Sequence, residues 1–171
     1  MPIRTAPSTL AATEEARTLN TELLSRLLAA QHRQIDQGVA GIVAGAGATP
    51  ALKSALKLLR EHVYMEETAL FPPLVKAGLA MPVFVMQREH GQMWPLILRL
   101  EAACAAGAAA DDLREDARQL LQQLKIHNPK EEQIVYAAAD RYASTQTDPP
   151  LAQTLAAARM PAGWVCAMAP H

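Results

Sequence analysis

Apolar residues recur at helical spacing in four long stretches of this chain. The first stripe reads Leu24, Leu28, His32, Ile35, Val39, Ile42, and the second Leu52, Ala55, Leu59, His62, Glu66, Leu70. The third is Val83, Met86, His90, Met93, Ile97, Leu100, and the fourth Leu113, Ala117, Leu120, Leu124, His127, Glu131, Ile134. Steps of three and four residues keep side chains on one face of an α-helix. The pattern predicts a first helix from Thr18 to Ala44, ended by the Gly-rich GAGATP. Thr49 is expected to cap the second, with Pro50 at its first position and Gly78 just past its end. The third starts near Met81–Pro82 and closes at Gly107, and Asp111 or Asp112 is expected to cap the fourth. Pro72–Pro73, Pro95 and Pro129 are expected to kink or loosen the helices that contain them. Asp148–Pro149–Pro150 opens a short fifth helix to about Met160, before an irregular tail.

Short connections between four long helices imply an all-α, up-down-up-down antiparallel four-helix bundle. Residues 1–17 read as an N-terminal arm, 18–144 as the bundle, and 145–171 as a short helix and C-terminal tail. Composition agrees: 50% of the 171 residues are hydrophobic but only 4% aromatic, which suits helices better than a β-sandwich. A net charge of −1 without a basic stretch argues against a nucleic-acid partner. No apolar run reaches the ~18 residues a membrane span needs, and the N-terminus does not read as a signal peptide. Cys104 and Cys166 form no CxxC and read as reduced thiols of a cytoplasmic protein.

The chemistry lies inside the stripes. His62 and Glu66, like His127 and Glu131, are four residues apart, so each pair points to one side of its helix. His32 and His90 occupy the other two stripes. His32 and His62 each lie about 15 residues from the first turn, and His90 and His127 about 19 and 18 from the third, so at ~1.5 Å rise per residue all six side chains reach one layer. A carboxylate ionised in an apolar core costs several kcal/mol unless paired or bound to a cation. The lysines and arginines lie mostly off the stripes. A pair of dications would neutralise Glu66 and Glu131, with two imidazoles on each metal. Mixed imidazole and carboxylate ligation suits iron, manganese or zinc. The ferritin-like arrangement uses Glu-x-x-His, which this sequence lacks.

Three segments then carry a family resemblance: His62–Val–Tyr–Met–Glu66–Glu67–Thr–Ala–Leu–Phe–Pro72, Arg88–Glu89–His90, and His127–Asn–Pro–Lys–Glu131–Glu132–Gln–Ile–Val–Tyr136. Over roughly residues 18–142 the chain resembles the hemerythrin-like (HHE cation-binding) domains. The resemblance implies a carboxylate-bridged pair of non-haem irons, with His32, His62, Glu66, His90, His127 and Glu131 as ligands. The oxygen carriers of the family have a second histidine on the third helix where this chain has Trp94. Their fourth-helix carboxylate falls at the position of Glu132. Glu131 is preferred here because it lies on the stripe and mirrors Glu66. The pattern is closer to the four-His, two-Glu members.

The expected function is to bind or sense O2, NO or iron. The first alternative is a di-iron enzyme, an O2 or NO reductase or an iron-centre repair protein. The second is a structural bundle with incidental zinc or no metal. Tyr64, Phe71, Trp94 and Tyr136 read as packing residues, with a Tyr hydroxyl or Trp N–H tuning a metal-bound oxygen species as the alternative, and Met86 and Met93 read as core. Glu61, Glu67, Glu89 and Glu132 read as a solvated face, and the terminal His171 is expected to be disordered.

Overall fold

A computed structural model describes the backbone of residues 9–46, 48–145 and 150–170, and side-chain surroundings from Leu24 onward. His171 lies outside the described residues. Those that are described form helices and turns without strands. Helix α1 spans Thr9–Val43, α2 Thr49–Met65, α3 Phe71–Lys76, α4 Ala80–Ala105, α5 Ala110–Lys130, α6 Ala137–Thr145 and α7 Leu151–Ala157. Wide π turns at Glu66–Leu70 and Glu131–Tyr136 join α2 to α3 and α5 to α6. Helix α1 packs on α2 and α5, and α4 packs on α5 and α2. No helix among the described residues is long and apolar enough to cross a membrane.

Most helix ends follow the local chemistry. Gly45, Gly78 and Gly107 sit beyond the ends of α1, α3 and α4 with positive φ, which glycine adopts without steric penalty. Other boundaries depart from the sequence reading. Helix α1 begins at Thr9 rather than Thr18, because TLAATEEAR is built of good helix formers and holds no glycine or proline. Thr49 is already helical and Ala48 stands at the cap, with Pro50 still in the first turn. Ala109 takes the cap of α5, which puts Asp111 and Asp112 in the first turn, where their charge opposes the helix dipole favourably. Helix α7 stops at Ala157; Ala158 is extended, and Pro161 bars helical backbone just before it.

The prolines do not act alike. Helix α4 runs through Pro95 without interruption. Pro72 and Pro73 fall in the first turn of α3, just after one π turn, and Pro129 lies two residues before the other. Proline gives no amide hydrogen to the helical ladder, so the turn beside it is the readiest to widen.

Buried apolar side chains form two clusters. One holds Ile35, Val39, Leu52, Leu56, Met93, Ile97, Leu120 and Leu124. The other holds Leu24, Leu28, Leu70, Phe71, Met86, Val135 and Leu155. Each fully buried leucine contributes about 1.5–3 kcal/mol. On α1 and α4 a histidine marks the crossing from one cluster to the other: His32 between Leu28 and Ile35, His90 between Met86 and Met93. The residues after α7 lie across α4. A Cβ on Gly91 would sit 2.1 Å from the Met168 carbonyl oxygen, so only glycine fits there. Trp164 makes edge contacts with Tyr64 and Trp94. Cys104 and Cys166 are buried and unpaired.

Candidate metal centre

The polar layer between the two clusters consists of His32, His62, Glu66, His90, His127 and Glu131, all buried, with both carboxylates at 0% exposure. Each comes from a different turn of α1, α2, α4, α5 or the π turns. His32 and His62 form one pair, with ring centroids 4.8 Å apart, and His90 and His127 the other, at 4.9 Å. Glu66 lies between them: Oε1 is 3.0 Å from His62 Nε2, and Oε2 is 3.5 Å from His90 Nε2. Glu131 Oε2 is 3.1 Å from His127 Nε2 and 3.4 Å from His32 Nε2. Donor atoms of His32, His62, Glu66 and Glu131 gather closely enough to hold one ion, and those of His90, His127 and Glu131 to hold another.

An outer set of side chains aims the imidazoles. Nδ1–H of His32 donates to Glu132 at 2.9 Å, and that of His62 to Gln31 at 2.6 Å. Nδ1–H of His90 donates to Glu67 at 2.9 Å, and that of His127 to Glu89 at 3.0 Å. Lys130 also donates to Glu89. With each Nδ1 carrying the hydrogen, each Nε2 turns a lone pair inward, the tautomer a metal requires. Glu67 is held in turn by the Ala167 backbone N–H at 2.8 Å.

The interior of this layer fits a cation. Glu66 Oε2, Glu131 Oε1 and His90 Nε2 are buried and have no hydrogen-bond partner. Such orphaned atoms are costly in a protein interior. His32 Nε2 and His62 Nε2 face each other at 3.0 Å with their hydrogens on the far nitrogens. Either protons or metal must sit here. Without metal, positive charge settles on His127 and His32. Burial opposes a charge on His127, but Glu131 and then Glu89 outweigh it and push its pKa up to about 10. His32 is also raised, burial again being overcome by Glu131 and Glu66. Burial would raise Glu131, but His127 and His32 hold it well below the usual carboxylate range.

All six residues singled out from the sequence therefore meet in one layer. Three glutamates read as a solvated face do not belong there: Glu67, Glu89 and Glu132 each hold an imidazole. Each adjoins one of the six in sequence, and that adjacency was the available signal. Tyr136, read as packing, places its hydroxyl inside the layer, donating to Glu66 Oε1 at 2.6 Å. Gln31 was missed altogether. Trp94, by contrast, packs on Trp164 beneath the Arg60 guanidinium, 5.4 Å from its ring.

A helical chain whose core carries paired imidazoles and shared carboxylates belongs to the class of bundle metalloproteins. Residues 23–139 match the model of the hemerythrin HHE cation-binding domain, and the chain belongs to that family. Its domains bind metal cations, typically iron. No curated protein and no solved structure matches the chain.

Proposed function

We propose that this chain is a dinuclear iron protein that binds or senses O2, NO or iron itself. His32, His62, His90 and His127 supply the imidazoles, and Glu66 and Glu131 bridge the two ions. The reading includes an up-down-up-down order of the four long helices and residence in a reducing compartment such as the cytoplasm. The observation that carries it is the set of orphaned atoms, Glu66 Oε2, His90 Nε2 and Glu131 Oε1, among imidazoles already locked with their lone pairs inward. A cation at each pair satisfies all three. When bound, iron supplies Lewis acidity, one-electron chemistry and an exchangeable position for a small ligand. The protein's part is to orient the imidazoles through Glu132, Gln31, Glu67 and Glu89, and to keep the surroundings apolar. Metal analysis after anaerobic iron loading tests this. Two irons per chain are expected; less than one per chain would overturn it.

One observation favours an enzyme as the second reading. A cavity of about 460 Å³ lies between α1, α2 and α7, lined by Leu24, Leu28, Leu155 and Arg159, and it reaches Gln31 and His62. That volume is within the range of small-molecule sites. Mixing the diferrous protein with O2 or NO separates the readings. A stable reversible adduct supports binding, and turnover with an electron donor supports catalysis.

A further inference from the structure

We propose that Tyr136 is a direct ligand of the cation held by His32 and His62, so that the two metal positions are chemically unequal. The assignment rests on the dinuclear reading above and adds a seventh residue to it. The Tyr136 oxygen is 2.9 Å from His32 Nε2 and 3.0 Å from His62 Nε2, and those two nitrogens are 3.0 Å apart. Three donor atoms thus form a nearly equilateral triangle. Adjacent ligands about 2.1 Å from one metal and at right angles are about 3.0 Å apart, so the triangle has the size of one octahedral face. Glu66 Oε1 lies 3.0 Å from His62 Nε2 and 2.6 Å from the phenol oxygen, and Glu131 Oε2 is 3.4 Å from that oxygen.

Without added protons, hydrogen bonding leaves this cluster short of hydrogens. The phenol has one, directed to Glu66. Once the proton that His32 takes up in the metal-free state is displaced, neither nitrogen has one to offer, since the Nδ1–H groups of His32 and His62 serve Glu132 and Gln31. Lone pairs from three atoms therefore converge on one point. A cation there satisfies them together. Its binding forms a metal–oxygen bond and breaks the phenol O–H bond, and the proton leaves with the others that metal uptake displaces.

The π turn makes the placement. Five residues along an α-helix rotate a side chain about 140° away from its starting face. The wider i→i+5 turn from Glu131 brings Tyr136 back toward that face. The first π turn does the same for Phe71, five residues after Glu66, whose ring stacks on His90 at 5.8 Å and offers no donor. The position open to a small exchangeable ligand therefore lies on the His90–His127 side.

The test is the visible spectrum of the full chain, iron-loaded and oxidised, with resonance Raman excitation in the band. A phenolate-to-ferric charge-transfer band with phenolate ring modes is expected. Tyr136→Phe should abolish it while keeping the wild-type helicity. Tyr64→Phe and Tyr142→Phe should both keep it. Should Tyr136→Phe also lose iron, the two control variants decide: a band surviving in both leaves Tyr136 as its source, and loss of the band in either overturns the assignment. A wild-type protein with full iron and no such band would make Tyr136 a hydrogen-bond donor only. A band persisting in Tyr136→Phe would also sink it. Failure of the dinuclear reading appears separately, as missing iron in the metal analysis.

Discussion

The segments His62–Phe71 and His127–Tyr136 are two versions of one device. Each begins with an inward histidine, places a buried glutamate four residues on, and starts a π turn at that glutamate. In each, the next glutamate reaches across to a histidine on another helix: Glu67 to His90, Glu132 to His32. The ninth residue after the histidine is aromatic in both. There the two diverge by one oxygen atom. Phe71 lays an apolar ring on His90, whereas Tyr136 carries a hydroxyl in among the imidazole nitrogens and the Glu66 carboxylate. Near-identical backbone thus builds two unlike ends of one centre, and the unlikeness resides in side chains that helical periodicity files under packing.

The largest effects should come from the inner carboxylates. Glu66→Ala and Glu131→Ala are each expected to weaken iron binding more than a hundredfold, beyond the roughly 10–100-fold typical of residues that only orient a ligand. Competition against a chromogenic chelator measures this. Retention of two tightly held irons in either variant would break the equivalence of the two segments. Next come the orienting glutamates. Glu67→Ala and Glu132→Ala should each cost about 10–100-fold in affinity. Glu67→Ala should cost more, because it also frees the Ala167 N–H. Equal losses would show that the C-terminal contact adds nothing.

A pH series on chelator-treated protein gives a smaller effect. His127 has a folded pKa of about 10 against an ordinary 6.5, so its stabilisation is present below pH 6.5 and fades as pH rises toward 10. Glu131 is depressed from 4.5, so its stabilisation is present above pH 4.5 and fades on acidification. Metal-free protein should therefore melt highest between about pH 4.5 and 6.5. Iron should remove the alkaline decline, since it replaces the protons. A flat melting profile up to pH 9 without metal would contradict the charge arrangement. The smallest effect concerns Lys130, which stands where the first segment has Met65. Lys130→Met should cost under about 1 kcal/mol in urea unfolding, as expected of a part-exposed ion pair. A larger loss would mean that Lys130 matters to His127 beyond its contact with Glu89.

The four stripes made the helical architecture legible, and with it the convergence of His32, His62, Glu66, His90, His127 and Glu131. Three- and four-residue steps survive small errors in helix length. What escaped was the consequence of widening two turns. On an ideal α-helix the neighbour of an inward residue points about 100° away, so Glu67 and Glu132 were placed in solvent. Tyr136 was read as packing because an aromatic side chain in a helical core usually packs. Proline announces that the ladder is interrupted but not whether it bends, ends or widens, as Pro95, Pro72 and Pro129 illustrate. Gln31 carries no mark in sequence at all: its role depends on the distance between α1 and α2, which Gly38 sets by letting the helices close on Ala55.

The contact from Ala167 to Glu67 has a practical corollary for anyone shortening this protein. A fragment trimmed to the family's own boundaries, residues 23–139, would keep every inner donor yet discard the strap that steadies His90 from outside. Its affinity for iron would then understate that of the whole chain, and a graft of the six residues onto another scaffold would inherit the same deficit.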